Sequence, residues 1–154
     1  MKATKTIITM LFALLLAACS APRQATSAGA PPPLLPQKEQ VWQLVRLQGR
    51  PLPPRQPVTT LVVNPDAGTA DGQAACNTYS FSCTLGHPDQ HLDADYYDIR
   101  LSPIGSGSVG CSEADMNAEQ RYLAALGRAT RLRLTATTLT LYQKDREILY
   151  FELQ

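Results

Sequence analysis

An excess of charge of either sign is missing from this chain of 154 residues: 14 Lys and Arg stand against 13 Asp and Glu, a formal net charge of +1. That balance gives no reason to expect nucleic acid or an anionic surface as the main partner. No apolar run reaches the ~18 residues needed to span a bilayer. Phenylalanine is scarce, with three against six tyrosines and twelve prolines, a composition that favours strands and loops over a helical bundle. No internal repeat is visible. There is no Gly-x-Ser-x-Gly elbow, and Gly105-Ser106-Gly107-Ser108 lacks the lysine of a phosphate loop. Asp66, Asp71 and Glu113 form no legible carboxylate pair. What is present suffices for one folded domain: 44% of the residues are apolar, too many for wholesale disorder.

The amino terminus reads as an address. Lys2 and Lys5 precede the apolar stretch Ile7 to Ala18, which has signal-peptide size and is too short for a membrane helix. It ends in Leu16-Ala17-Ala18-Cys19, which resembles the bacterial lipobox. That resemblance implies cleavage after residue 18 and acylation of Cys19, because several acyl chains anchor stably where one is marginal. Ser20, a residue other than aspartate after the cysteine, suggests by the same resemblance an outer-membrane destination facing the periplasm. Two lysines leave with the signal, so the mature side chains are close to neutral. Residues 19–40 are rich in Ala, Pro, Ser and Gln and read as a semi-extended tether, with a reach on the order of 60 Å at polyproline pitch.

The domain is expected over residues 41–154. Val41 to Leu47 reads as a strand with Gln48-Gly49-Arg50 as its turn, and Thr59 to Val63 as a second ended by Asn64-Pro65-Asp66-Ala67-Gly68. Thr69 to Ala75, Tyr79 to Leu85 and Leu92 to Leu101 read as extended, with a turn at Gly86-His87-Pro88-Asp89. Ser112 can cap a helix with Asp115 three residues on; Met116, Tyr122, Leu123 and Leu126 share one side, and Gly127 is a natural stop. Three extended segments follow, Arg131–Leu134, Leu139–Leu141 and Ile148–Leu153, with Lys144-Asp145-Arg146 as the last hairpin tip. The sum is an α+β domain: a curled antiparallel sheet, a partial barrel or roll, with one packed helix.

Candidate chemistry is sparse. After Cys19 three cysteines remain, and an exported protein meets an oxidising compartment, so one bridge and one free thiol are expected. Cys83–Cys111 and Cys76–Cys111 are both open. Cys76–Cys83 is disfavoured, because a separation of seven points the side chains to opposite faces of a continuous strand. A nucleophilic Cys83 would need a neighbouring base, and neither histidine is near in sequence. His87, Asp89, His91, Asp93 and Asp95 form the only metal-like cluster; period-two neighbours stand about 7 Å apart, too wide to meet one zinc ion, so the cluster reads as a solvated hairpin end. Arg131 and Arg133 read as the solvent face of a strand, and Trp42 as core.

Several marks occur in an order that resembles a known family. They are Trp42-x-Leu44 with Leu47-x-Gly49, Leu61-Val62-Val63, Ala75-Cys76-Asn77-Thr78-Tyr79-Ser80, and Cys111 followed by Met116, Glu119, Tyr122-Leu123 and Ala125-Leu126; Leu139-Thr140-Leu141 and Phe151 close the series. Together they resemble the META domain of the HslJ-type, heat-shock-inducible lipoproteins. The resemblance implies a Cys76–Cys111 bridge at the family's two cysteine positions, and marks Trp42, Gly49, Asn77, Tyr79 and Glu119 as motif residues. There are departures. Ala75 stands for glycine, Thr78 for arginine and Phe81 for glycine, and Gly107-Ser108-Val109-Gly110 replaces the family's Thr-Arg-Met-Ala. Both typical arginines are therefore missing, so no role resting on that basic pair carries over.

The family is associated with envelope stress and novobiocin resistance, and it implies no enzymatic mechanism, catalytic residue, metal or cofactor. The expectation is a non-catalytic envelope lipoprotein, membrane-held through Cys19, that supports stress tolerance or drug resistance by binding a protein or a small amphiphile. The alternative is an inhibitor or binding module for an incoming lytic enzyme or other protein. A thiol or metal enzyme built on Cys83 or the His87–Asp95 region is the third reading.

Overall fold

The structure is a computed structural model that describes residues 39–54, 58–88 and 96–154. The signal, Cys19 and nearly all of the tether lie outside these residues, as do Asp89, His91, Asp93 and Asp95 of the metal-like cluster.

Among the described residues, ten strands and one helix follow in chain order. The strands are β1 (Gln40–Leu47), β2 (Arg50–Pro51), β3 (Thr60–Asn64), β4 (Thr69–Gln73), β5 (Thr78–Pro88), β6 (Tyr96–Leu101), β7 (Gly105–Ser106), β8 (Arg131–Leu134), β9 (Thr138–Gln143) and β10 (Arg146–Leu153); α1 (Glu113–Leu126) lies between β7 and β8. Leaving aside the two-residue strands β2 and β7, each strand pairs antiparallel with the next one along the chain, and β10 returns to pair with β1. The result is an eight-stranded barrel. The sheet expected from the sequence was a partial barrel; the β1–β10 ladder, with Trp42 opposite Leu153 and Leu44 opposite Phe151, closes it. Closure removes both free edges of the sheet.

Alternation explains most of the core. Trp42 and Leu44 point inward from β1, Leu132 and Leu134 from β8, Leu139 and Leu141 from β9, and all are buried. Strict alternation would next bury Arg46. A register shift between Leu44 and Arg46 resets the phase, so Leu47 packs on the core. Arg46 then pairs with Glu147, both bonds at 3.0 Å, and its guanidinium stacks 3.6 Å from the Tyr150 ring centroid. A second shift, between Glu147 and Leu149, lets Ile148 and Leu149 both be buried.

The turns follow their residues. Gln48 and Gly49 both take positive φ, 52° and 76°, as a two-residue hairpin requires. Asn64 accepts from the Ala67 amide at 3.1 Å, and Gly68 takes φ 63°. The turn expected at Gly86-His87-Pro88 is instead strand: β5 runs on to Pro88, opposite Tyr97, through an irregular register after Leu85. A proline is tolerated at such a bulge near a strand end. The glycine-rich approach to Cys111 holds the short strand β7, paired with Tyr79 and Ser80 of β5.

Helix α1 starts as expected. Ser112 Oγ accepts from the Asp115 amide at 3.2 Å. Its end differs. Gly127 is right-handed, φ −63° and ψ −11°, and the chain leaves through a tighter turn in which Arg128 and Ala129 donate to Ala125 and Leu126. Its inner face also differs: Met116 is exposed, and Glu119 joins Tyr122, Ala125 and Leu126 in the buried set. Among the described residues, no helix is long and apolar enough to cross a membrane.

Candidate functional site

The connection from β4 to β5 is held by a dense set of hydrogen bonds. Ala74 donates to Asn77 at 2.8 Å, closing a tight turn, and Gln73 Nε2 donates to the carbonyls of Ala74 and Cys76 at 3.0 and 3.2 Å. Ala74 and Ala75 are buried; small residues let this turn sit under the helix. Helix α1 brings Glu119 over it. One carboxylate oxygen accepts from the amides of Cys76 and Asn77 at 3.1 and 2.6 Å, and the other from Asn77 Nδ2 and Ser106 Oγ at 3.1 and 3.2 Å. Four donors occupy the acceptor sites of its two oxygens.

Asn77 extends the clamp. Its Oδ1 accepts from the Val109 amide at 2.8 Å, and its Nδ2 also donates to the Val109 carbonyl at 3.2 Å. Gly107 leaves room for this: a Cβ there would stand 2.9 Å from Asn77 Oδ1. Cys76 and Cys111 are joined by a disulfide, with Cα atoms 6.0 Å apart. Hydrogen bonds and a covalent bond thus tie the β4–β5 turn, the segment before the helix, and the helix itself into one unit.

Beneath the clamp lies a tyrosine pair. Tyr79 Oη donates to the Thr60 carbonyl at 2.7 Å and meets Tyr122 Oη at 2.5 Å, with the rings edge to face. Burial pushes both phenols well above their usual range and so keeps them neutral. Gly72 is required here, because a Cβ would fall 2.1 Å from the Thr60 carbonyl oxygen and 2.9 Å from Tyr79 Oη. An open cleft of about 550 Å³ adjoins the unit, lined by residues that include Asp71, Tyr79, Ser80 and Ser106.

The structure brings Cys76, Cys111, Asn77, Tyr79 and Glu119 together. Trp42 is apart, almost fully buried in the core, and Gly49 is in the β1–β2 turn. Arg131 lies on the outer face with Asp145 at 3.1 Å and Asp98 at 3.9 Å, and the Arg133 guanidinium lies 5.1 Å from the Tyr96 ring. Cys83 is a free, half-buried thiol, raised in pKa by its burial. Among the described residues no group of three His, Cys, Asp or Glu could hold a metal ion. Sequence reasoning missed Ser106, Gly72 and the Tyr122 hydroxyl; the glycine-rich run around Ser106 was the one available signal.

The META domain family model matches residues 35–154, and the chain belongs to that family. It is similar in fold to an NMR structure of a protein from Burkholderia xenovorans, with a TM-score of 0.57 and 21% identity over 85% of this chain and 96% of that one. A second NMR structure gives a TM-score of 0.53 and 16% identity over 74% of this chain and 88% of the other. Among curated proteins none matches significantly. The META domain is not a known enzymatic family.

Proposed function

We propose that the protein is a non-catalytic envelope lipoprotein, cut before Cys19, acylated there and held in the outer membrane facing the periplasm, that supports stress tolerance or drug resistance by binding a small amphiphile or a protein. One observation carries the non-catalytic part: Glu119, the buried carboxylate of the site, already accepts from four donors that close the end of the barrel. A carboxylate so engaged is a clamp, with no lone pair directed at a substrate proton. The neutral tyrosines and the neutral Cys83 thiol agree with that reading. A strain lacking the protein is expected to be several-fold more sensitive to bulky drugs such as novobiocin, with sensitivity restored by the wild-type chain and not by Cys19→Ala. Unchanged sensitivity across an envelope-stress panel would overturn the proposal.

A second reading, a module that binds an incoming protein, draws on Val109. This side chain is 70% exposed on a segment held by Asn77 and by the Cys76–Cys111 bridge. A rigid loop with an apolar tip suits capture of a partner, because little ordering entropy remains to be lost. Retention of a lytic enzyme on the immobilised protein, abolished by Val109→Asp, would favour it.

A further inference from the structure

The barrel interior contains a small unfilled space of about 30 Å³. Its wall is entirely apolar apart from one thiol and draws on β3, β4, β5, β6, β8 and β9, with Leu126 of the helix. Eight-stranded barrels either fill their interior with side chains or hold one small ligand. A space of this size takes about one water-sized group, and with such a wall it favours a hydrocarbon over a water, which needs polar partners.

The space is not sealed evenly. Leu126 and Leu139 on its wall are essentially fully buried, whereas Val63, Cys83 and Leu85 are only partly buried. The same three residues also line an outer cleft of about 460 Å³, walled by the β3–β4 turn, Pro65 to Gly68, and by Thr84 and Gly86. An apolar inner space and a more polar outer cleft therefore meet at Val63, Cys83 and Leu85. Gln40, at the start of β1, pairs with Val63 at this mouth. The clamp around Glu119 lies at the opposite end of the strands, where β4 turns into β5.

We propose that this mouth is a binding site for an amphiphile with a single slender alkyl chain, its tip between Val63, Cys83 and Leu85 and its polar head in the outer cleft. The inference rests on the binding reading above and names its ligand class and place. A branched or doubly chained apolar body does not fit so narrow an inner space. The inner space takes only the end of the chain; the methylenes behind it leave water against the walls of the outer cleft, and each one fully buried there is worth roughly fourfold in affinity.

Cys83 is a built-in reporter. In the full chain carrying Cys19→Ser it is the one thiol outside the bridge. Octyl glucoside, kept below its micelle-forming concentration, is expected to slow alkylation of Cys83 by iodoacetamide at least fivefold, whereas glucose alone leaves the rate unchanged. Hexyl glucoside, two methylenes shorter, should require up to about sixteenfold more ligand for the same protection. In the same protein the methyl resonances of Val63 and Leu85 should shift, and those of Val109 should not. Unchanged alkylation together with unchanged methyl resonances overturns the site, as does protection by phosphatidylcholine vesicles alone, which would mark a bilayer-facing surface. Failure here leaves the drug-sensitivity result of the deletion strain untouched, so the site and the broader function are judged separately.

Discussion

The Glu119 carboxylate meets donors from the β4–β5 turn, from Asn77's side chain and from Ser106 of β7. Without it, two backbone amides and an amide side chain under the helix would lose an acceptor, and unsatisfied buried donors are costly. Glu119→Gln keeps the shape but turns an NH2 group toward donors. It is expected to destabilise the protein by about 1–3 kcal/mol, measured as a lower urea midpoint with an unchanged slope. A midpoint within error of wild type would show that the clamp contributes nothing. Asn77, Tyr79 and Glu119 were picked out in the sequence only by their resemblance to a family motif. Nothing in their own chemistry could pair Asn77 with a residue 42 positions later. Hydrogen-bond partners distant in the chain leave no periodic trace, and this is why the motif was visible and its role was not.

Elements were more legible than contacts. Alternation of apolar residues located most of the strands, because one face of each points into the barrel. The two bulges were invisible, since Val45 and Ile148 are good strand residues in either phase. Pro88 suggested a turn and instead ends a strand. In the helix, apolar spacing placed Met116 on the inner face, whereas the buried face runs Glu119, Tyr122 and Leu126. The second turn of α1, which carries Glu119, overlies the polar β4–β5 connection, so burial there favours a carboxylate. Two substitutions separate these pictures. Met116→Ala, at an exposed site, is expected to change stability by no more than about 0.5 kcal/mol. Leu126→Ala, at a fully buried one that lines the interior space, should cost about 2–5 kcal/mol in thermal or urea unfolding. Equal effects would contradict the observed face.

For the whole molecule, the decisive event is the meeting of the first and last long strands, which no local pattern announces. β10 lies between β9 and β1, so the final eight-residue strand completes two ladders at once. The bridge then fixes the far end of the barrel by joining positions 35 residues apart; in the chain-entropy model such a link contributes about 3–4 kcal/mol. An oxidising compartment is needed to form it, which agrees with the signal-like amino terminus. Both features converge on one measurement, the intact mass of the protein taken from the bacterial envelope and alkylated before and after reduction. The expected mass begins at Cys19 and carries acyl chains; one alkyl group is added before reduction, at Cys83, and three after it. Cys19 contributes none, because its sulfur is in a thioether. Three groups before reduction would place the protein in a reducing environment and remove the bridge from the native molecule. An unacylated chain recovered from the periplasm would separate the barrel from the membrane, and the drug-sensitivity effect of Cys19→Ala should then vanish with it.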